Sequence, residues 1–224
     1  MLQVENEIQE LRDQLIEMWD LTIKQLDNTE SAFKNFERDL ALEVQQTERR
    51  VNAFELTIDR ACENFIALFQ PVATDLRFVL STLKINTNLE RIADIACGIS
   101  EFVSDSDDRF NAEIIKLMDA DKMLALSIEM LKELREAYIL EDTKLARTVY
   151  KKDKMLDKLN DVASYKALEC LDKFPDEKRQ TLHVLSIIRK IERVGDQAKN
   201  IAEEIIFYLD AKILKHKKKE KEIN

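Results

Sequence analysis

Leu89-Glu-Arg-Ile-Ala-Asp94 and Ile191-Glu-Arg-Val-Gly-Asp196 are two copies of one pattern in a single chain. In each copy a second acid follows the first after three intervening residues, with apolar residues before the first acid and between the two. On a helix, residues at that spacing stack on one face. Glu90 with Asp94, and Glu192 with Asp196, are therefore carboxylate pairs one turn apart. Such a pair either shares a cation or forms an ordinary solvated surface.

The rest of the sequence supplies the frame. The chain has 224 residues, 45% of them apolar in type and 35% charged, with only 2 Gly and 2 Pro. Scarce breakers and abundant charge suit long amphipathic helices rather than sheets or disorder. The net charge of -9 argues against nonspecific nucleic-acid binding and suits polyvalent cations or a basic partner. The cysteines, Cys62, Cys97 and Cys170, are odd in number and lack Cys-x2-Cys spacing. They read as small hydrophobes of a reducing compartment. An acidic N-terminus without an apolar core does not suggest secretion, and no apolar run of about 18 residues suggests a membrane span.

Hydrophobic periodicity divides the chain into six long helices. The first is expected from Val4 to about Asn28, with a polar turn over 28–34. The second covers Arg38 to Leu68, on an apolar line of Val44, Thr47, Val51, Phe54, Ile58, Ala61, Phe65 and Leu68. Pro71 opens the third, which continues to Val103, since proline fits a first helical turn. In its first half Leu76, Leu80 and Leu83 add a second apolar stripe, expected to be covered by a neighbouring bundle or another subunit. The acidic stretch 104–111 reads as a linker. A fourth helix then covers Ala112 to Leu140, with Leu117 on its inner line, and a fifth runs from Asp142 to Lys173. The sixth starts at Pro175 and passes Leu209. Pro71 and Pro175 hold corresponding places, so the fold class is all-α, two tandem and similar three-helix bundles. The units are 1–104 and 111–214, with a basic tail over 215–224.

The turns at the prolines predict which acids meet. Asn52 and Glu90 are equally far from Pro71, as are Glu48 and Asp94. Asp157 with Glu192, and Asp153 with Asp196, match to within a residue about Pro175. Antiparallel neighbours would bring these ridges to one height, on a face turned away from each bundle core. Oxygen-only sites suit hard or borderline cations. The competing account is a solvated ladder with Arg91, Arg189, Arg193 and Lys199. Gly195, costly within a helix, points to a close approach.

The run from Ile58 to Ala96 (IDRACENFIALFQPVATDLRFVLSTLKINTNLERIADIA) and that from Lys190 to Leu209 (KIERVGDQAKNIAEEIIFYL) resemble the PhoU family of phosphate-signalling regulators. The resemblance covers nearly the whole chain and rests on QPVATDLR with the two acid-Arg-x-x-Asp copies. It implies a pair of three-helix bundles in a cytoplasmic protein, commonly a homodimer. It also implies a non-enzymatic negative regulator linking the ATPase subunit of a phosphate ABC transporter to a membrane sensor histidine kinase. By match to the family motif, metal clusters of divalent or trivalent ions (Fe, Mn, Mg or Zn) would be held by Asp153, Asp157, Glu192 and Asp196. The first bundle would use Glu48, Glu90 and Asp94, with Asn52 in the fourth place. Asn52 removes an anionic ligand, so weaker binding is expected there.

Other residues read more plainly. Glu55 and Asp59 are expected to face no acid and to be surface groups, with Arg60 as a partner for them. Asn200 continues the second acidic stripe and reads as an exposed amide, with support of a site as the alternative; His183 reads as structural and Trp19 belongs to the core. The lysine-rich run 212–221 reads as a helix end, with anionic lipid or an acidic partner as the alternative. No nucleophile–base constellation or Gly-rich phosphate loop is present, so an enzyme is not expected. Two rivals stand beside regulation: a metal-dependent phosphohydrolase and a metal-buffering helical protein.

Overall fold

The computed structural model describes residues 2–211, and the basic tail lies outside the described residues. Seven helices form among them: α1 (Leu2–Asn35), α2 (Arg38–Phe69), α3 (Ala73–Ser104), α4 (Ala112–Leu117), α5 (Ala120–Ile139), α6 (Thr143–Lys173) and α7 (Lys178–Asp210). No helix among them is long and apolar enough to cross a membrane. Helices α1, α2 and α3 pack as one bundle, and α5, α6 and α7 as the second, with α4 against its end. The all-α, twofold three-helix architecture read from the sequence is the one observed.

Neither proline opens a helix as expected, since α3 begins at Ala73 and α7 at Lys178, and two further boundaries differ from the sequence reading. Helix α1 does not end near Asn28 but runs to Asn35, and the chain reverses at Phe36, whose φ is 60°. The polar-looking stretch hides core residues: Thr29, Ala32 and Phe33 are fully buried. The Thr29 hydroxyl bonds to the Gln25 carbonyl at 2.8 Å and shares a 3.1 Å contact with the Ser100 hydroxyl, so its polarity is satisfied inside. The expected fourth helix is broken into α4 and α5 by Asp119 in the left-handed region. Asp119 is tied to Lys166 of α6, and the break lets both Met118 and Ala120 face inward.

The inner lines hold with local exceptions. Leu68 is 75% exposed at the open end of the α2–α3 turn, where Cys62 rather than Ala61 is fully buried. Leu117 also lies outside the core. All three cysteines are buried and unpaired. Each fully buried aliphatic side chain contributes roughly 2 kcal/mol, and the centre is well supplied with them: Leu15, Leu26, Ile58, Ile85, Leu89 and Ile92.

The halves meet along α3 and α7. Lys84 reaches Glu204 at 3.1 Å, Asn88 meets Asn200 at 3.4 Å, and Phe102 stacks near His183. Rising numbers on α3 meet falling numbers on α7, so the helices are antiparallel. At Gly98 a Cβ would fall 2.6 Å from the Lys190 ammonium, the movable end of a long side chain that lies against the helix there. Asn200 is thus an interface residue rather than an exposed amide. The stripe Leu76, Leu80 and Leu83 is only partly sealed by this packing, and Leu80 remains exposed. Trp19 of α1 is buried and donates to the Leu131 carbonyl of α5 at 3.1 Å. Arg12 clasps the other end, donating at 2.8 Å to both Glu141 and the Tyr208 hydroxyl, between the rings of Phe78 and Tyr138.

Candidate functional site: two acidic helix faces

Each face lies in the groove between the last two long helices of its bundle. The expected ridges face one another, but shifted by about one helical turn. In the first half the Cys97 thiol approaches Glu48 at 3.9 Å, and the Asn86 amide donates to Asp59 and to the Glu55 carbonyl, each at 3.0 Å. Glu48 is therefore level with Cys97 rather than Asp94, and Glu55 rather than Asn52 is level with Glu90. In the second half Asp153 is level with Lys199, and Ser164 with Arg189, whose side chains bond at 3.1 Å. The cause is the turn. Gln70 takes a left-handed conformation, Val72 is extended, and α3 begins only at Ala73. The reversal is centred after Pro71, and likewise after Pro175, where α7 begins only at Lys178.

The first face gathers Asn52, Glu55, Glu90 and Asp94, with Glu48 a turn away but bonded to the Asn52 amide at 3.4 Å. Burial raises the Glu90 carboxyl to about 7, helped by the charges of Asp94 and Glu55 and only partly offset by Arg91. Burial also raises Glu55, followed by the charges of Asp59 and Asp94. Glu55 therefore does face acids, Glu90 and Asp94, against the expectation, whereas the group facing Asp59 is the Asn86 amide rather than an acid. Among the described residues, Glu48, Glu55, Glu90 and Asp94 have no ion-pair partner within 4.0 Å. The Asn52 side-chain oxygen is buried without a hydrogen-bond partner.

The second face has the same acids and a different solution. The Lys199 ammonium lies 3.1 Å from Asp153 and 2.8 Å from Asp196. Burial lowers its pKa, but hydrogen bonds to Asp196 and Asp153 outweigh this and hold it above the ordinary lysine range. Asp153 is 6% exposed; burial raises its carboxyl, and the Lys199 hydrogen bond pulls the other way. Burial likewise raises Glu192, with Asp196 and Asp157 adding to it. Gly195 permits the close approach expected of it. A Cβ there would sit 2.7 Å from Leu156 Cδ1 and 3.7 Å from an Asp153 oxygen.

The fit to metal differs between the faces. As the side chains stand, no three His, Cys, Asp or Glu side chains among the described residues gather closely enough to ligate one ion. In the first half, repelling carboxylates and an orphaned amide oxygen form a donor set with a use for a hard cation. In the second, an ammonium already stands between two of the four expected ligands. The acids read from the sequence lie on α2, α3, α6 and α7, but sequence reasoning missed the approach of Glu55 to Glu90 and the contacts of Lys199 with Asp153 and Asp196. Glu55 follows Asn52 on the same ridge, and only the turn geometry hid its partner. Lys199 was visible only as one of several basic residues of a ladder.

The family model for the PhoU domain matches the chain twice, over residues 15–103 and 120–205. The chain is 29% identical over 215 residues to the phosphate-specific transport system accessory protein PhoU of Serratia marcescens, covering 94% of this chain and 86% of that protein. The protein of the same name from Escherichia coli K12 matches at 29% over the same shares. The crystal structure of PhoU from Pseudomonas aeruginosa superposes with a TM-score of 0.84 at 27% identity, covering 93% of this chain and 99% of that one.

Proposed function

Because the chain belongs to the PhoU family, we propose that it is a non-enzymatic regulator of phosphate transport, repressing both phosphate uptake and the phosphate-starvation response. In this reading it is an adaptor between the transporter's ATPase subunit and a sensor histidine kinase, acting in the cytoplasm, commonly as a homodimer. The observation that carries the reading is the family match over both halves, joined to a carboxylate-rich helix face in each half. A surface repeated in both halves suits a scaffold that partners read. The relatives' names, accessory proteins of phosphate transport, support the same role.

Cations would modulate the first face. Glu55, Glu90 and Asp94 would supply the charge and Asn52 a neutral oxygen, and a bound divalent ion would relieve the repulsion among them. The direct test is deletion of the gene with reporters of phosphate-starvation genes and measured phosphate uptake. Derepression of both in phosphate-replete cells is expected, and unchanged expression and uptake would remove the proposal. The phosphohydrolase alternative is tested separately with phosphate esters and Mn2+ or Mg2+. No turnover is expected; turnover that disappears in Asp196→Ala would favour the enzyme.

A further inference from the structure

The second face departs from the chemistry proposed for the first. Its Asp153 carboxylate, on α6, has a side chain only 9% exposed, and a buried carboxylate without a partner is strongly unfavourable. The partner is Lys199 on α7, which also bonds Asp196 one turn before it. Three residues after the second acid of the motif, the first half has Cys97, whose thiol is uncharged and contacts Glu48. The two halves therefore differ at one equivalent position: a compact cation in one, a neutral thiol in the other. Gly195 completes the arrangement, since the lack of a side chain there lets Leu156 and Asp153 sit against α7.

We infer that Lys199 is a resident counter-ion. It holds Asp153 to Asp196 where a divalent ion would have to lie, so the second face keeps its form without metal and selects against it. A divalent ion entering between these carboxylates would have to break both Lys199 ion pairs and expel the ammonium. The inference concerns the second half only and does not need the first face to bind metal.

The test uses the full chain, stripped with chelator, in equilibrium dialysis against Mn2+ with metal analysis. Lys199→Met is expected to tighten Mn2+ binding at the second face by about tenfold or more, since a positive charge is removed at ion-pair distance. Lys199→Arg, which keeps the charge, is expected to show no such gain. Asp153→Asn is expected to leave the native level of Mn2+ binding unchanged, yet to lower the melting temperature in EDTA. No gain in Lys199→Met would overturn the inference. So would lost Mn2+ binding, or an unaltered melting temperature in EDTA, for Asp153→Asn. Should Lys199→Met fail to fold, the Asp153→Asn measurements decide alone. If the native chain binds no Mn2+ while Lys199→Met does, the inference stands and the cation reading of the first face falls.

Discussion

The two acidic faces have nearly the same sequence motif and opposite electrostatic states. Glu90 and Asp94 repel each other beside Glu55, with no ion-pair partner among the described residues and a partnerless amide oxygen at Asn52. Glu192 and Asp196 stand beside Asp153 and Asp157, but Lys199 draws Asp153 and Asp196 together. One face is held against its own charge, whereas the other is held by a charge pair. The motif alone does not set the state of the site. The residue one turn beyond it, Cys97 or Lys199, does.

The sharpest way to break this contrast is Lys199→Met. It strands Asp153 as a buried carboxylate, and losing one partner of such a pair costs about 2 kcal/mol once partial exposure of the lysine is allowed for. A melting temperature in EDTA lower by about 5 °C is expected for a chain of this size. The symmetric change in the first half, Cys97→Lys, is expected to raise stability in EDTA, because it brings a cation to Glu48 and Asp94. An equal response to the two changes would mean that the faces do not differ as described.

A smaller effect tests the backbone beneath them. Ala93 is fully buried in the first half, where the second has Gly195. Ala93→Gly loses helix propensity and a buried methyl, and is expected to cost about 1 kcal/mol or slightly more by denaturant unfolding. Gly195→Ala gains the same propensity but places its methyl 2.7 Å from the Cδ1 atom of fully buried Leu156. A net loss of about 1 kcal/mol is expected. Stabilisation by Gly195→Ala would show that Leu156 can yield and that the close approach is not required.

The helices were legible because their periodicity is long and uninterrupted, and the duplication was legible because the two prolines and two motifs recur in order. What escaped was local. Thr29 looks like a turn residue and is a buried, hydrogen-bonded one, so the end of α1 was misplaced. Asp119 breaks a helix with no glycine or proline to announce it. The left-handed Gln70 moved the centre of the α2–α3 reversal beyond Pro71 and shifted the facing acids by one turn. That shift brought Glu55 opposite Glu90 and Lys199 opposite Asp153. A sequence gives the spacing along each ridge directly, but the height of one ridge against another depends on turn dihedrals that side-chain identity constrains weakly.

The smallest effect is the most diagnostic of sign. The Glu90 carboxyl ordinarily titrates at 4.5 and is raised to about 7 in the folded chain, first by burial and then by Asp94 and Glu55. Between those values the native state holds a proton that the unfolded chain has released, so this group makes stability fall as pH rises through the window. Glu90→Gln removes the charge and keeps the shape. Relief of the like-charge pair with Asp94 is expected to stabilise the metal-free protein by about 0.5 kcal/mol near pH 8, shrinking to nothing below about pH 4, where the glutamate is neutral in both states. Asp196→Asn should act in the opposite direction at the higher pH, because it takes a partner from Lys199 rather than a repelling neighbour from a carboxylate. Urea unfolding of both variants at the two pH values measures this directly. Destabilisation by Glu90→Gln at the higher pH would mean that a cation within the chain already neutralises the first face, and the distinction between the halves would be lost.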